Sequence, residues 1–204
     1  MATTLLTAPP TSSVTLLDTP TLGHMHAWWQ ALQHDPARHY YTDFMPDDLE
    51  EFPLPVQQGQ THVAMFLVRD DVGGVYYLHD WGTDSDGPYA WLGTYILPAY
   101  RGRLAVQAFH AIRQRWHTRG WSRLFAAIRE QNRAAQCLIT RHFGFTRLGR
   151  YPHWSYFEGH LDHVILYTLR PEDHTLAWRV AAQRAARFRQ GPPPRRQKGQ
   201  HLTV

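Results

Sequence analysis

Residues 91–106 read WLGTYILPAYRGRLAV, and this stretch decides the fold. Trp91, Leu92, Tyr95, Ile96 and Leu97 form a nearly unbroken apolar and aromatic run, the pattern of a buried strand. Pro98 lacks a backbone donor, so regular strand pairing stops there. Tyr100-Arg101-Gly102-Arg103 follows, and a helical pattern runs from Leu104 to about Thr118. Ala105, Phe109, Ile112 and Trp116 share one face of that helix, Arg113, Arg115 and Arg119 lie off it, and Gly120 ends it. A strand that breaks into a basic, glycine-containing turn and then a helix start suits an anion. Unpaired N–H groups, the helix dipole and the arginines all favour negative charge. An ordinary strand-to-helix connection with solvated arginines fits the same residues, so the turn alone does not fix a function.

The chain has 204 residues, 43% of them hydrophobic, enough for one globular domain with a core. No apolar run reaches the length of a membrane span. The N-terminus has no basic region of the kind that begins a secretory signal. The single cysteine, Cys137, excludes an internal disulfide framework and fits a reducing compartment, so a cytoplasmic location is expected. The net charge of +4 is unevenly spread: residues 1–86 carry two basic and twelve acidic side chains, and residues 174–204 carry seven basic and none acidic. The second half is therefore built to meet anions.

Taken in order, residues 1–13 are rich in Thr, Ser and Pro and are expected to be mobile. Val14–Leu17 reads as a strand, and Asp18-Thr19-Pro20-Thr21 starts a helix carrying Leu22, Met25, Trp28, Trp29 and Leu32. His24, His26, His34 and His39 lie in or near it without the spacing of a metal site, so no metal is expected. Asp47–Glu51 is an acidic run of the kind found on solvated helix faces. Residues 61–69 and 75–79 read as paired strands around a turn at Asp70–Gly74, and 81–88 as a polar loop. After the helix come a strand at Leu124–Ile128, a helix at Arg133–Phe143 ended by Gly144-Phe145, and, past Arg147 to Arg150, strands near 154–157 and 164–169 with a turn at Glu158-Gly159 between them. A last helix spans Pro171 to Gln190, with Trp178, Ala181, Ala185 and Phe188 on one side and Arg179, Arg184, Arg187 and Arg189 elsewhere. A basic tail containing Arg195, Arg196 and Lys198 follows and is expected to be disordered.

This order of elements resembles the GNAT superfamily of acyl-CoA N-acyltransferases over about Val14 to Leu169. Leu97-Pro98-Ala99-Tyr100-Arg101-Gly102 is similar to the family's passage from strand to pyrophosphate loop. Asn132, Ala135 and Gly144-Phe145 are similar to its second motif, and Phe157-Glu158-Gly159 with Asp162 and Tyr167 resembles the closing hairpin of the ribosomal-protein acetyltransferase branch. The resemblance implies an α/β (α+β) fold: a mixed, mostly antiparallel sheet split at a β-bulge and flanked by helices, spanning 14–170, with a basic C-terminal helix and tail at 171–204. Two departures stand out. Leu104 and Val106 occupy positions where the family's loop is usually small, and Ile139, Thr140 and Arg141 stand where it often has a tyrosine that reprotonates the thiolate.

The activity implied is direct transfer of an acetyl or other acyl group from acetyl-CoA (acyl-CoA) to a primary amine, with no metal. Backbone at Ile96 and Leu97 would meet the pantetheine amide and the thioester carbonyl, a form of oxyanion stabilisation. Arg101, Gly102, Arg103, Leu104, Ala105 and Val106 would hold the pyrophosphate, Asn132 the pantetheine arm, and Arg133 a phosphate. Asp80 and His79 are candidate bases and Tyr95 a candidate relay. The acceptor is open among a protein amine, a small molecule such as a polyamine, and an aminoacyl-RNA. Residues 174–204 are a candidate contact for nucleic acid or a protein partner, and a homodimer is compatible. A second reading is a GNAT-like binding or assembly module without catalysis, contacting its partner through the basic C-terminus.

Overall fold

A computed structural model describes residues 14–35, 59, 61–157 and 160–189. The expected mobile N-terminus, the acidic run Asp47–Glu51, the turn at Glu158-Gly159 and the tail from 190 lie outside the described residues. Contacts group the chain into two compact units, residues 1–124 and 125–204. The described residues hold seven strands, mostly antiparallel, and four α-helices, the mixed α/β architecture that the resemblance implies.

The first unit is an antiparallel meander of β1 (Val14–Leu17), β2 (Thr61–Val68), β3 (Asp71–Asp84) and β4 (Gly87–Ile96), with α1 (Leu22–Gln33) and α2 (Arg103–Thr118). Strand β2 is apolar along nearly its whole length because both of its faces are covered. Val63 and Met65 join Val75, Tyr77 and Tyr95 beneath Met25, Trp28 and Leu32 of α1. On the opposite face the Phe66, Tyr76 and Phe109 rings pack in sequence, with centroids 6.1 and 5.7 Å apart. Each such large side chain withdrawn from water contributes about 1.5–3 kcal/mol.

Helix α1 begins at Thr21, whose side chain accepts from the His24 amide while the His24 ring accepts from the Thr21 amide. This is a capping box with histidine in place of Glu or Gln. His34 Nδ1 bonds the Gln30 carbonyl at the other end, so these two histidines serve the helix termini. Helix α2 starts one residue earlier than its apolar pattern indicates and buries Ala105, Ala108, Phe109, Ile112 and Trp116. At its end the Trp121 amide bonds the Trp116 carbonyl at 2.9 Å across Gly120, the Schellman arrangement.

Two sequence expectations are corrected in the strands. The β2–β3 turn is only Arg69-Asp70, both at positive φ (54° and 71°), and pairing resumes at Asp71. Gly73 and Gly74 are not turn residues but lie inside β3 under the Phe66 ring. A Cβ on Gly74 would sit 2.7 Å from Phe66 Cε1 and 2.6 Å from the Tyr95 carbonyl. Residues 81–88 are likewise not a loop: β3 continues to Asp84, turns over two residues and returns as β4. The buried Arg123 guanidinium holds this hairpin end through Asp84 and the Gly87 carbonyl, and Asp84 also receives the Asp86 amide.

The second unit contains β5 (Arg123–Arg129, whose first two residues belong to the first unit), α3 (Arg133–Arg141), β6 (Thr146–Phe157), β7 (His160–Thr168) and α4 (His174–Arg189). Strand β7 pairs antiparallel with both β5 and β6. The strand expected at 154–157 is the end of a longer one, β6, which begins at Thr146 and carries register shifts. Helix α4 begins at His174 after a 3-10 turn at Pro171–Asp173, and it buries Leu176, Ala177, Val180, Ala181, Arg184 and Ala185. Arg184, expected among the outward arginines, is 6% exposed, and Trp178 lies beside the face, against Tyr151. No helix among the described residues is long and apolar enough to cross a membrane.

Asp18, in the turn before α1, accepts from Arg115 and Arg119 of α2 at 3.1 Å each. His62 on β2 is half-buried nearby; burial first, and Arg119 second, push its pKa below 6.5, against a smaller opposing effect of Asp18. The unfolded chain therefore takes up a proton near pH 6.5 that the folded chain resists. This contribution to stability is complete above about pH 6.5 and is lost as pH falls through the folded value. A His62→Gln variant is expected to show a shallower fall in melting temperature between pH 7 and pH 5 than the parent, measured by calorimetry.

Candidate active site

The site is built where β4 stops. Antiparallel pairing directs alternate residues of β4 toward β3 and away from it. The Leu97 amide donates to the Gly73 carbonyl at 3.0 Å, which places Leu97 among the residues facing β3. Ile96 is out of that phase, so its amide points away from β3. Of the two backbone donors expected at the thioester, the Leu97 amide is thus already occupied. Pro98 then starts a 3-10 turn through Tyr100, closed by Tyr100 N to Leu97 O at 2.9 Å and Arg101 N to Pro98 O at 3.4 Å.

Gly102 comes next with φ 108° and ψ −135°, a conformation essentially reserved for glycine. It is the N-cap of α2 and makes no side-chain cap; the Val106 amide closes the first helical bond onto the Gly102 carbonyl at 3.2 Å. The amides of Arg103, Leu104 and Ala105 therefore have no acceptor within the helix. The first turn carries no acidic side chain, and the space beside Gly102 is open to 4 Å. Arg103 is exposed, and Leu104 and Val106 are only half-buried. Their bulk leaves this row of amides in place, an arrangement that attracts an anion.

Two buried groups hold the passage from behind. The Tyr76 hydroxyl donates to the Ala105 carbonyl at 2.6 Å, and burial pushes its pKa far up, so it remains a donor. Arg101 donates through Nε to the Ile96 carbonyl at 3.1 Å and through Nη2 to Asp35 at 2.7 Å. Asp35 also receives the Tyr95 hydroxyl. Asp35 follows α1 by two residues, and neither it nor Tyr76 stood out in the sequence; burial of a lone Asp after a helix has no sequence signature.

The other candidates fall in two places. His79 and Asp80 are together at the outer part of β3, with Nδ1 and Oδ2 3.1 Å apart, and the His79 ring packs against Tyr77 at 5.5 Å. Asp80 has φ 44° in a bulge where β3 carries one more residue than β4 between the His79–Trp91 and Gly82–Tyr89 pairs. Tyr95 is on the same face, but His79 pairs with Trp91, four residues or roughly 13 Å along the strand. The structure therefore brings His79 to Asp80 and Tyr95 to Asp35. In the second unit, Asn132 caps α3 by accepting the Ala135 amide at 3.1 Å, with Arg133 exposed beside it in the first turn. Cys137 is exposed on the same helix.

The sequence model of the acetyltransferase (GNAT) family matches residues 25–145. The chain belongs to the GNAT acetyltransferase family. Its fold is shared by RimL, a ribosomal L7/L12 alpha-N-protein acetyltransferase, at 20% identity and a TM-score of 0.65 over 78% of this chain and 91% of that one. The Salmonella typhimurium acetyltransferase that modifies the N-terminal serine of L7/L12 gives 19%, 0.66, 78% and 96%. The microcin C7 self-immunity acetyltransferase MccE, solved with acetyl-CoA and AMP, gives 14%, 0.61, 76% and 91%. No curated protein matches the sequence.

Because Tyr76 supplies a second donor to a carbonyl that helix geometry already satisfies, removing it costs one hydrogen bond and leaves no orphaned acceptor. Tyr76→Phe is expected to destabilise the protein by about 0.5–1.5 kcal/mol in a urea titration.

Proposed function

We propose that this GNAT protein is an acetyl-CoA-dependent N-acetyltransferase acting on a primary amine by direct transfer. The observation that carries the reading is the open N-terminus of α2 behind Gly102, set at the end of a strand whose last amide, Ile96, points away from its neighbour. The amides of Arg103, Leu104 and Ala105 hold the pyrophosphate, with Arg103 adding charge. The Ile96 amide serves the pantetheine arm. RimL and MccE have been solved with coenzyme A and acetyl-CoA respectively, which supports this choice of co-substrate.

In the reaction the amine nitrogen attacks the thioester carbonyl carbon. A C–N bond forms, the C–S bond breaks, and the sulfur leaves as thiolate and takes up a proton. His79 accepts the amine proton and Asp80 orients its ring through Nδ1, leaving Nε2 for the acceptor. A cationic acceptor suits the acidic first part of the chain, where twelve acidic residues face two basic ones over residues 1–86. An N-terminal amine and a polyamine meet that description, whereas an aminoacyl-RNA suits the basic stretch 174–204, which carries seven basic residues and none acidic. The single cysteine fits a reducing, cytoplasmic setting.

A non-catalytic binding module is the second reading, favoured by Leu104 and Val106 in the loop. Thermal unfolding with acetyl-CoA separates the two. At a hundred times its dissociation constant a native-state ligand adds about 2.7 kcal/mol, which raises the melting temperature by roughly 5–10 °C for a chain of this size. No rise at millimolar acetyl-CoA would overturn the enzyme reading.

Once an acceptor is found, His79→Ala is expected to lower kcat by roughly 10²–10⁴ with the KM for acetyl-CoA little changed. Asp80→Ala is expected to have a smaller effect and to shift the pH–rate profile. Steady-state kinetics across pH checks both outcomes.

A further inference from the structure

We infer that Asp35 is a positioning residue for the cofactor loop, a role that rests on the acyl-CoA reading of the α2 N-terminus. The Asp35 side chain is 2% exposed, while its partner Arg101 is 46% exposed. The guanidinium thus reaches inward from the surface to a buried carboxylate. Its Nη2 bonds Asp35 and its Nε bonds the Ile96 carbonyl, five residues back in the chain. The Tyr95 hydroxyl reaches the same carboxylate oxygen from β4. One acidic group therefore gathers the end of α1, the last turn of β4 and the start of the loop.

This geometry assigns the Arg101 side chain a task inside the turn. One donor, Nε, closes the segment 96–101 on itself, and a second, Nη2, ties it to Asp35, whose charge matches that of the guanidinium. The segment is pinned at Leu97 by the Gly73 carbonyl and at Arg101 by Asp35. Gly102, with open space around it, is the first residue beyond the pins, and α2 starts there. The direction of the three unpaired amides thus depends on where Arg101 is held. Removing the carboxylate leaves Arg101 and Tyr95 without this acceptor and lets the loop sample other positions, so the anion site is no longer preformed. Tyr95 belongs to the same clamp, four residues along β4 from the His79–Asp80 pair.

The test uses Asp35→Ala, and Asp35→Asn, which keeps the shape and one acceptor oxygen. Coenzyme A binding is measured by calorimetric titration, and hydrogen exchange of residues 99–103 is followed in the ligand-free protein. Asp35→Ala is expected to weaken coenzyme A binding about tenfold and Asp35→Asn about threefold, with faster exchange at 99–103 and unchanged exchange in β2 and β3. With an acceptor in hand, KM for acetyl-CoA rises while kcat stays within about twofold. Loop exchange equal to the parent in Asp35→Asn, or coenzyme A affinity within twofold of the parent in Asp35→Ala, would overturn the inference. A parent protein that does not bind coenzyme A removes the acyl-CoA reading instead, while the exchange measurement still decides whether Asp35 orders the loop.

Discussion

A missing hydrogen governs this site. Proline at position 98 cannot donate to a neighbouring strand, so β4 has to stop, and the residues just before and after it must find other partners. Leu97 takes the Gly73 carbonyl, Ile96 gives its own carbonyl to Arg101, and the chain turns through a 3-10 turn into a glycine that no other residue could replace. The helix then starts with its amides unspent. The loop and the anion-attracting helix end follow from that forced stop, with Asp35 and Tyr76 anchoring the two sides of it.

The parts of the molecule that were legible in the sequence are those written in nearby residues. The 91–106 stretch carries its own periodicity, its breaker and its helix start, so the end of β4 and the start of α2 were readable to within a residue, while the start of β4 at Gly87 was not. The apolar stripe of α2 was readable for the same reason. What could not be read depends on partners far along the chain. Asp35 meets Arg101 sixty-six positions away, and a single acidic residue following a helix looks like any solvated end. Arg184 was assigned to solvent because charge is usually outside, but its place on the helix puts it on the buried side. The glycines of β3 were assigned to a turn because glycine usually marks one; here they make room for an aromatic ring from the neighbouring strand.

The chemistry divides between backbone and side chains. The anion-attracting end of α2 is made of amides whose direction is set by strand phase and helix geometry, which is why bulky residues at 104 and 106 leave it in place. The His79–Asp80 pair is made of side chains at a bulge, where Asp80 is held in an uncommon conformation. The first is tolerant of substitution and the second is not.

The Phe66 ring over Gly73 and Gly74 has a consequence for how this protein can change through descent. Any side chain at either glycine meets that ring, and at Gly74 it also meets the backbone of β4 one residue before the strand's end. A smaller residue at 66 would leave a void between β2 and α2 unless the glycines grew at the same time. The three positions are therefore tied: drift at one is blocked until another moves, and the path between alternative packings passes through a poorly packed intermediate. Because the Gly73 carbonyl accepts the Leu97 amide just past the end of β4, this lock is joined directly to the passage into the loop.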